Sequence, residues 1–129
     1  MTKTKYILSI IYGLFLLIFG LNGFLNIFPL PEMTEEAGTF IGSLAQVGYI
    51  FPIVGGLQVV VGFLLIINKF TPLSLIVIFP IMLNAFLLHL FLDPAGIAGS
   101  FVAIILNVFL FIANKESYKN VFQMNSKLI

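Results

Sequence analysis

His89 is the only histidine in the chain, and Asp93 follows it by four residues. On a helix that spacing sets both side chains on one face, where imidazole and carboxyl group could orient or exchange a proton near neutral pH. The same pair also suits a structural role. His89 would then hydrogen-bond a neighbouring helix, and Asp93 would cap the turn into the next one, ahead of Pro94 at its favoured first helical position. Residue types alone leave both readings open. Five amides join the pair inside long apolar runs: Asn22, Asn26, Gln58, Asn84 and Asn107. A polar group facing hydrocarbon is costly, so each is expected to point inward, as glue between helices or as part of a binding site. Counting about 1.5 Å of rise per residue puts Gln58 and Asn107 near mid-depth and Asn22, Asn26 and His89 in the outer half. The candidate ligand-binding residues are Asn22, Asn26, Gln58, Asn84, His89 and Asp93, with Asn22, Asn84 and His89 lining one pocket that opens outward.

Several chemistries are excluded by residue type. There is no cysteine, which removes disulfides, thiol relays, thiolate metal sites and covalent haem attachment. One histidine cannot supply two axial haem ligands, and the few carboxylates show no metal-ligand spacing. No nucleophile, base and acid come together as a set, so catalysis by the chain alone is not expected. The glycines sit inside apolar runs rather than in a phosphate-loop pattern. The charged residues are six lysines and five acids without arginine, which speaks against nucleic acid as a partner. A redox role would belong to a bound cofactor or a partner protein.

The elements that must position these residues follow from hydropathy. Of 129 residues, 60% are hydrophobic and 9% charged, far from the roughly one quarter charged residues of a soluble domain. A span takes roughly 20 apolar residues, so the chain has room for about four. Tyr6 to Phe28 is the first, stopped by Pro29 and Pro31, and it reads as an uncleaved anchor because no small-residue cleavage site follows it. Residues 34–47 carry Phe40, Ile41, Leu44 and Val47 against Thr39, Ser43 and Gln46, the pattern of a short helix lying on the membrane surface. Further spans are expected at 49–67, at 73–92 with a bend at Pro80, and at 97–113, followed by a polar tail over 114–129. The fold class is all-α: an integral membrane four-helix bundle, one domain over 1–129, with an interfacial helix between the first and second spans. Lys3, Lys5, Lys69, Lys115, Lys119 and Lys127 then share one side, which the charge bias of membrane proteins makes cytoplasmic for both termini, while Glu32, Glu35, Glu36 and Asp93 fall on the other.

Between helices in lipid, small residues and polar contacts drive association. Gly48, Gly55 and Gly62 recur every seven residues with Gln58 on the same stripe, a predicted packing seam, and Gly13, Gly20 and Gly23 play a similar part on the first helix.

Taken together, the segments Gly20-Leu21-Asn22-Gly23-Phe24-Leu25-Asn26, Phe28-Pro29-Leu30-Pro31, Gly48-Tyr49-Ile50-Phe51-Pro52 and Asn68-Lys69-Phe70-Thr71-Pro72-Leu73 carry a likeness. The stretch from Pro80 through Asn84 and His89 to Asp93-Pro94 is the clearest part. The chain resembles the DoxX-like family of small bacterial four-helix membrane proteins over almost its whole length. The resemblance implies a place in the bacterial cytoplasmic membrane and kinship with a subunit of thiosulfate:quinone oxidoreductase. Second-helix positions that often hold a glutamate in that family carry Gln58 or apolar residues here, which speaks against proton-coupled chemistry. The expectation is an accessory subunit that binds a quinone-like or other hydrophobic small molecule in support of a redox partner. The alternative is a purely structural subunit of a larger membrane complex or a homo-oligomer, binding only lipid. A minimal transporter is disfavoured, since no inverted repeat or continuous charged path is visible.

Overall fold

The computed structural model describes residues 2–124; Lys127 and the end of the predicted tail lie outside them. The described residues are helical and contain no strand. The elements are α1 (Thr2–Leu25), α2 (Glu35–Val47), α3 (Ile50–Ile66), α4 (Thr71–Phe91) and α5 (Ile97–Ala113), with single 3-10 turns at Pro94–Gly96 and Lys115–Tyr118. Three segments are long and apolar enough to cross a membrane: α1, α4, and α5 together with the turn before it. The pair α2 and α3 qualifies only jointly, and its two helices meet at 95°.

The first helix stops at Leu25 rather than Phe28, because Asn26 takes a left-handed backbone with φ 51°. It starts at Thr2, so Lys3 and Lys5 belong to its first turns. Thr34 caps α2 by accepting a hydrogen bond from the Ala37 N–H at 3.2 Å, with Glu35 and Glu36 placed against the positive end of the helix dipole. The right-angled break between α2 and α3 falls at Gly48. Its φ of 89° lies in the left-handed region, where a side chain would clash with its own backbone. Gly48 is therefore a helix cap with open space about it and not part of a seam. Helix α4 is continuous through Pro80.

Helices α1 and α3 form the closest pair and run antiparallel, since Gly13 meets Gly62, Gly20 meets Gln58, and Phe24 meets Gly55. Within the bundle α1 packs on α3 and α5, and α4 packs on α3 and α5, while α3 also meets α2. The core between them is Tyr12 and Leu16 of α1, Val61 and Leu65 of α3, Leu75, Ile78 and Met82 of α4, and Ala103, Ile104 and Leu110 of α5. The outward faces are apolar as well, with Ile11, Ile18, Val60, Phe63, Val102 and Ile105 about half exposed.

Two hydroxyl contacts order the ends. Thr34 Oγ1 donates to the Leu92 carbonyl, tying the start of α2 to the end of α4. Tyr118 Oη donates to the Pro72 carbonyl at 2.8 Å, tying the chain after α5 to the start of α4. With α1 and α3 antiparallel, these contacts bring Lys3, Lys5, Lys69, Lys115 and Lys119 to one end. Glu32, Glu35, Glu36 and Asp93 gather at the other. Glu116 is the one described acid at the lysine end, paired with Lys119 at 2.8 Å.

Candidate functional site

At the acidic end, α1, α3, the connection after α1 and the edge of α2 border a half-open cavity of about 950 Å³. Phe19, Phe24, Phe28 and Phe51 give it aromatic walls, and Asn22, Asn26 and Gln58 are its polar lining residues. Phe19 and Phe28 meet edge to face at 5.5 Å, closing one side.

Asn22 is buried on α1, and its Oδ1 accepts a hydrogen bond from the Phe28 N–H at 2.9 Å. The backbone needs that bond: the helix ends at Leu25, and the reversal that follows has few partners of its own. With Oδ1 engaged, Nδ2 remains as a donor, and it makes no other hydrogen bond among the described residues. Gln58 reaches the cavity from mid-α3, where its Cβ packs against Gly20, and its carboxamide has no hydrogen-bond partner among the described residues. Asn26, just past the end of α1, is exposed at the rim.

The remaining candidates lie elsewhere. Asn84 is exposed on α4 and does not line the cavity, contrary to the expectation that it points inward; Ala85 is the α4 residue that reaches the wall. His89 and Asp93 form their own pair at the end of α4. His89 Nδ1 lies 3.3 Å from the Asp93 carboxylate and 3.3 Å from its backbone carbonyl oxygen. Asp93 is buried, its N–H donates to the Leu88 carbonyl, and its carbonyl accepts from Gly96. The imidazole lies so close over Gly96 that a Cβ there would come within 2.7 Å of the ring. The pair thus fastens the turn from α4 into α5 and stands apart from the cavity. The pocket expected from Asn22, Asn84 and His89 together is not formed. No cluster of three or more histidine and acidic side chains suited to a metal occurs among the described residues.

A second polar group lies toward the lysine end. Asn107 of α5 is almost fully buried and donates through Nδ2 to Tyr12 Oη of α1 at 2.7 Å. Its Oδ1 has no partner among the described residues, and neither do the buried hydroxyls of Ser9 and Ser74. The depth of Asn107 is legible in the sequence, but its pairing with a tyrosine 95 residues away is not.

These side chains can bind and orient a small molecule through amide donors, acceptors and aromatic faces, and they hold no nucleophile with a base beside it. Comparison with protein-family models, with curated proteins and with solved structures finds no match to this chain.

Proposed function

We propose that this chain is a DoxX-like integral membrane protein of the bacterial cytoplasmic membrane, an accessory subunit that holds a quinone-like hydrophobic small molecule for a redox partner. In this reading α1, α3, α4 and α5 form a membrane-spanning bundle with both termini cytoplasmic, and α2 lies on the outer surface. Support comes from the outward apolar faces, which water would not tolerate over such lengths, and from the right angle between α2 and α3. The lysine end against the acidic end supports the orientation.

The observation that carries the ligand reading is the pair of free amide donors, Gln58 and Asn22 Nδ2, in an aromatic-walled cavity of about 950 Å³. Two free N–H donors, beside the equally free Gln58 Oε1 acceptor, suit a ligand that brings carbonyl oxygens on an apolar ring. No histidine or carboxylate lines the cavity, so the chain would hold such a ring without exchanging protons with it. The test is to purify the chain in mild detergent and quantify the quinone extracted with it. Gln58→Leu keeps the contact with Gly20 and should lose most of the bound quinone while thermal stability stays near that of the wild type. Wild-type protein free of quinone would refute the reading.

A second reading rests on Asn84. An amide exposed on α4 near Leu83 and Leu87, both 36% exposed, would be poorly satisfied by lipid and well satisfied by a helix of another subunit. That favours a structural subunit of a larger complex or a homo-oligomer, binding only lipid. A stoichiometric partner chain with only bulk lipid in the same purification would support it.

A further inference from the structure

Between α4 and α5, toward the lysine end, runs a groove of about 440 Å³. Ile76, Phe79 and Pro80 form one wall and Val108 and Phe111 the other, while Val121 and Phe122 close it from the chain after α5. That closing segment is built in place: Tyr118 stacks on Phe111 with ring centres 4.4 Å apart, its hydroxyl holds the Pro72 carbonyl, and its own carbonyl accepts from the Val121 and Phe122 N–H groups. Asn107 is the single side chain in the lining that carries a hydrogen-bonding group.

We infer that this groove binds a neutral lipophile bearing a hydroxyl group, with the hydroxyl donating a hydrogen bond at Asn107. The inference rests on the membrane placement proposed above and concerns a different site from the quinone cavity. Two observations lead to the ligand class. The side chain of Asn107 is 1% exposed and its Nδ2 is used by Tyr12, which leaves Oδ1 as an acceptor without a donor. No charged side chain lines the groove, so an ionised headgroup would lie there without a counter-charge.

One acceptor in an otherwise apolar surround asks for a donor. Water is a poor candidate, because it needs two to four polar partners and would leave its remaining hydrogen bonds unmade. A hydroxyl on an apolar body satisfies the acceptor and fills the rest with hydrocarbon. At about 440 Å³ the groove lies in the size range of small-molecule sites, with room for a medium-chain alcohol or an alkylphenol.

The experiment uses the full chain in phosphatidylcholine nanodiscs and a dodecanol carrying a diazirine, with peptide mapping of the photoproduct. Label should fall on α4, α5 and the segment around Phe122. Unlabelled dodecanol should compete about tenfold better than its methyl ether or the ketone of equal length, which lack the donor. Alkylphenol competing at least as well as dodecanol would identify an aromatic source of the same hydroxyl chemistry. Val108→Trp fills the groove from a position that is 41% exposed and should abolish labelling without disturbing the fold. Asn107→Leu, if it folds by circular dichroism, should keep the label and lose the preference for alcohol over ether. Equal competition by ether or ketone in the wild type would overturn the inference, as would label that Val108→Trp leaves intact. A chain-to-chain cross-link through Val108 that excludes the probe would overturn it in favour of a second protein chain as occupant. Release of the chain from membranes by alkaline carbonate would defeat the membrane reading as well, which separates that failure from failure of the groove alone.

Discussion

Replacing Gly62 with alanine should weaken the fold by about 1–2 kcal/mol, and the contact with Gly13 says why. A Cβ at Gly62 would stand 2.6 Å from the Gly13 carbonyl oxygen and 2.7 Å from the Leu17 nitrogen, about 0.8 Å short of the 3.4 Å at which ordinary contact begins. Both obstacles are backbone atoms, so no rotamer change relieves them and α1 must move away from α3. A gap of about 0.5–1 Å forfeits a quarter or more of the dispersion well for each atom pair. If the contacts loosened equal those of one buried leucine, about 40–60 pairs at about 0.1–0.2 kcal/mol each, the loss is roughly 1–3 kcal/mol. Alanine's better helix propensity returns up to about 1 kcal/mol. Gly56 is the control: it lies on the same helix with open space around it, so Gly56→Ala should be neutral or slightly stabilising. The assay is unfolding in mixed micelles of dodecyl maltoside and SDS, followed by circular dichroism. Gly62→Ala within about 0.5 kcal/mol of Gly56→Ala would refute the argument, since that is the usual scatter of a substitution without such a mechanism.

Single cysteines at Glu35 and Ala95 should react with a membrane-impermeant thiol reagent on intact cells, while cysteines at Lys69 and Lys119 stay protected; labelling of the Lys69 turn from outside would reverse the proposed orientation. Gly48→Ala should cost about 1–2 kcal/mol in the same micelle assay, because alanine pays that much in the left-handed region; an unchanged midpoint would mean that the α2 to α3 corner tolerates another backbone. Burial pushes the Tyr118 hydroxyl from its ordinary 10.0 up to about 12. The folded chain therefore keeps this proton where the unfolded chain has lost it, so the contribution of Tyr118 is constant below pH 10 and falls between pH 10 and about 12. Tyr118→Phe should keep the stack on Phe111, lose about 1 kcal/mol with the hydrogen bond to Pro72, and remove that part of the alkaline decline; an identical pH profile for both proteins would show that the hydroxyl does not titrate with unfolding.

The long apolar runs were legible in the sequence because a stretch of uncharged residues is a one-dimensional signal, and so was the grouping of the lysines, which depends only on the number of reversals. The rotation of each helix was not. When the outside of a helix is as apolar as the inside, hydropathy carries no phase, and the inward face must be chosen from polar and small residues alone. That rule succeeded for Asn22, Gly55, Gly62 and Asn107, and it failed for Asn84, which faces out. Spacing by seven placed Gly48 with Gly55 and Gly62, but the helix does not extend that far, so the glycine serves a left-handed corner instead. The partial role of Asn22 as a clamp on the Phe28 N–H was hidden because α1 ends earlier than its apolar run, and apolarity does not report where φ changes sign.

Helix α4 is held at its two ends by hydroxyls that come from opposite directions along the chain, Thr34 from before it and Tyr118 from after it. Both land on backbone carbonyls, at Leu92 and Pro72, so the side chains at those positions are free to vary without loosening either clip. The order of synthesis then sets the order of closure. Thr34 emerges long before Leu92 exists to receive it, and Pro72 waits for a tyrosine that arrives only when the last helix is complete. A nascent chain that has formed α1 to α5 but stops before Tyr118 would carry α4 fastened at the acidic end and loose at the lysine end. Truncation after Ala113 would remove the second clip while leaving α1 to α5 present.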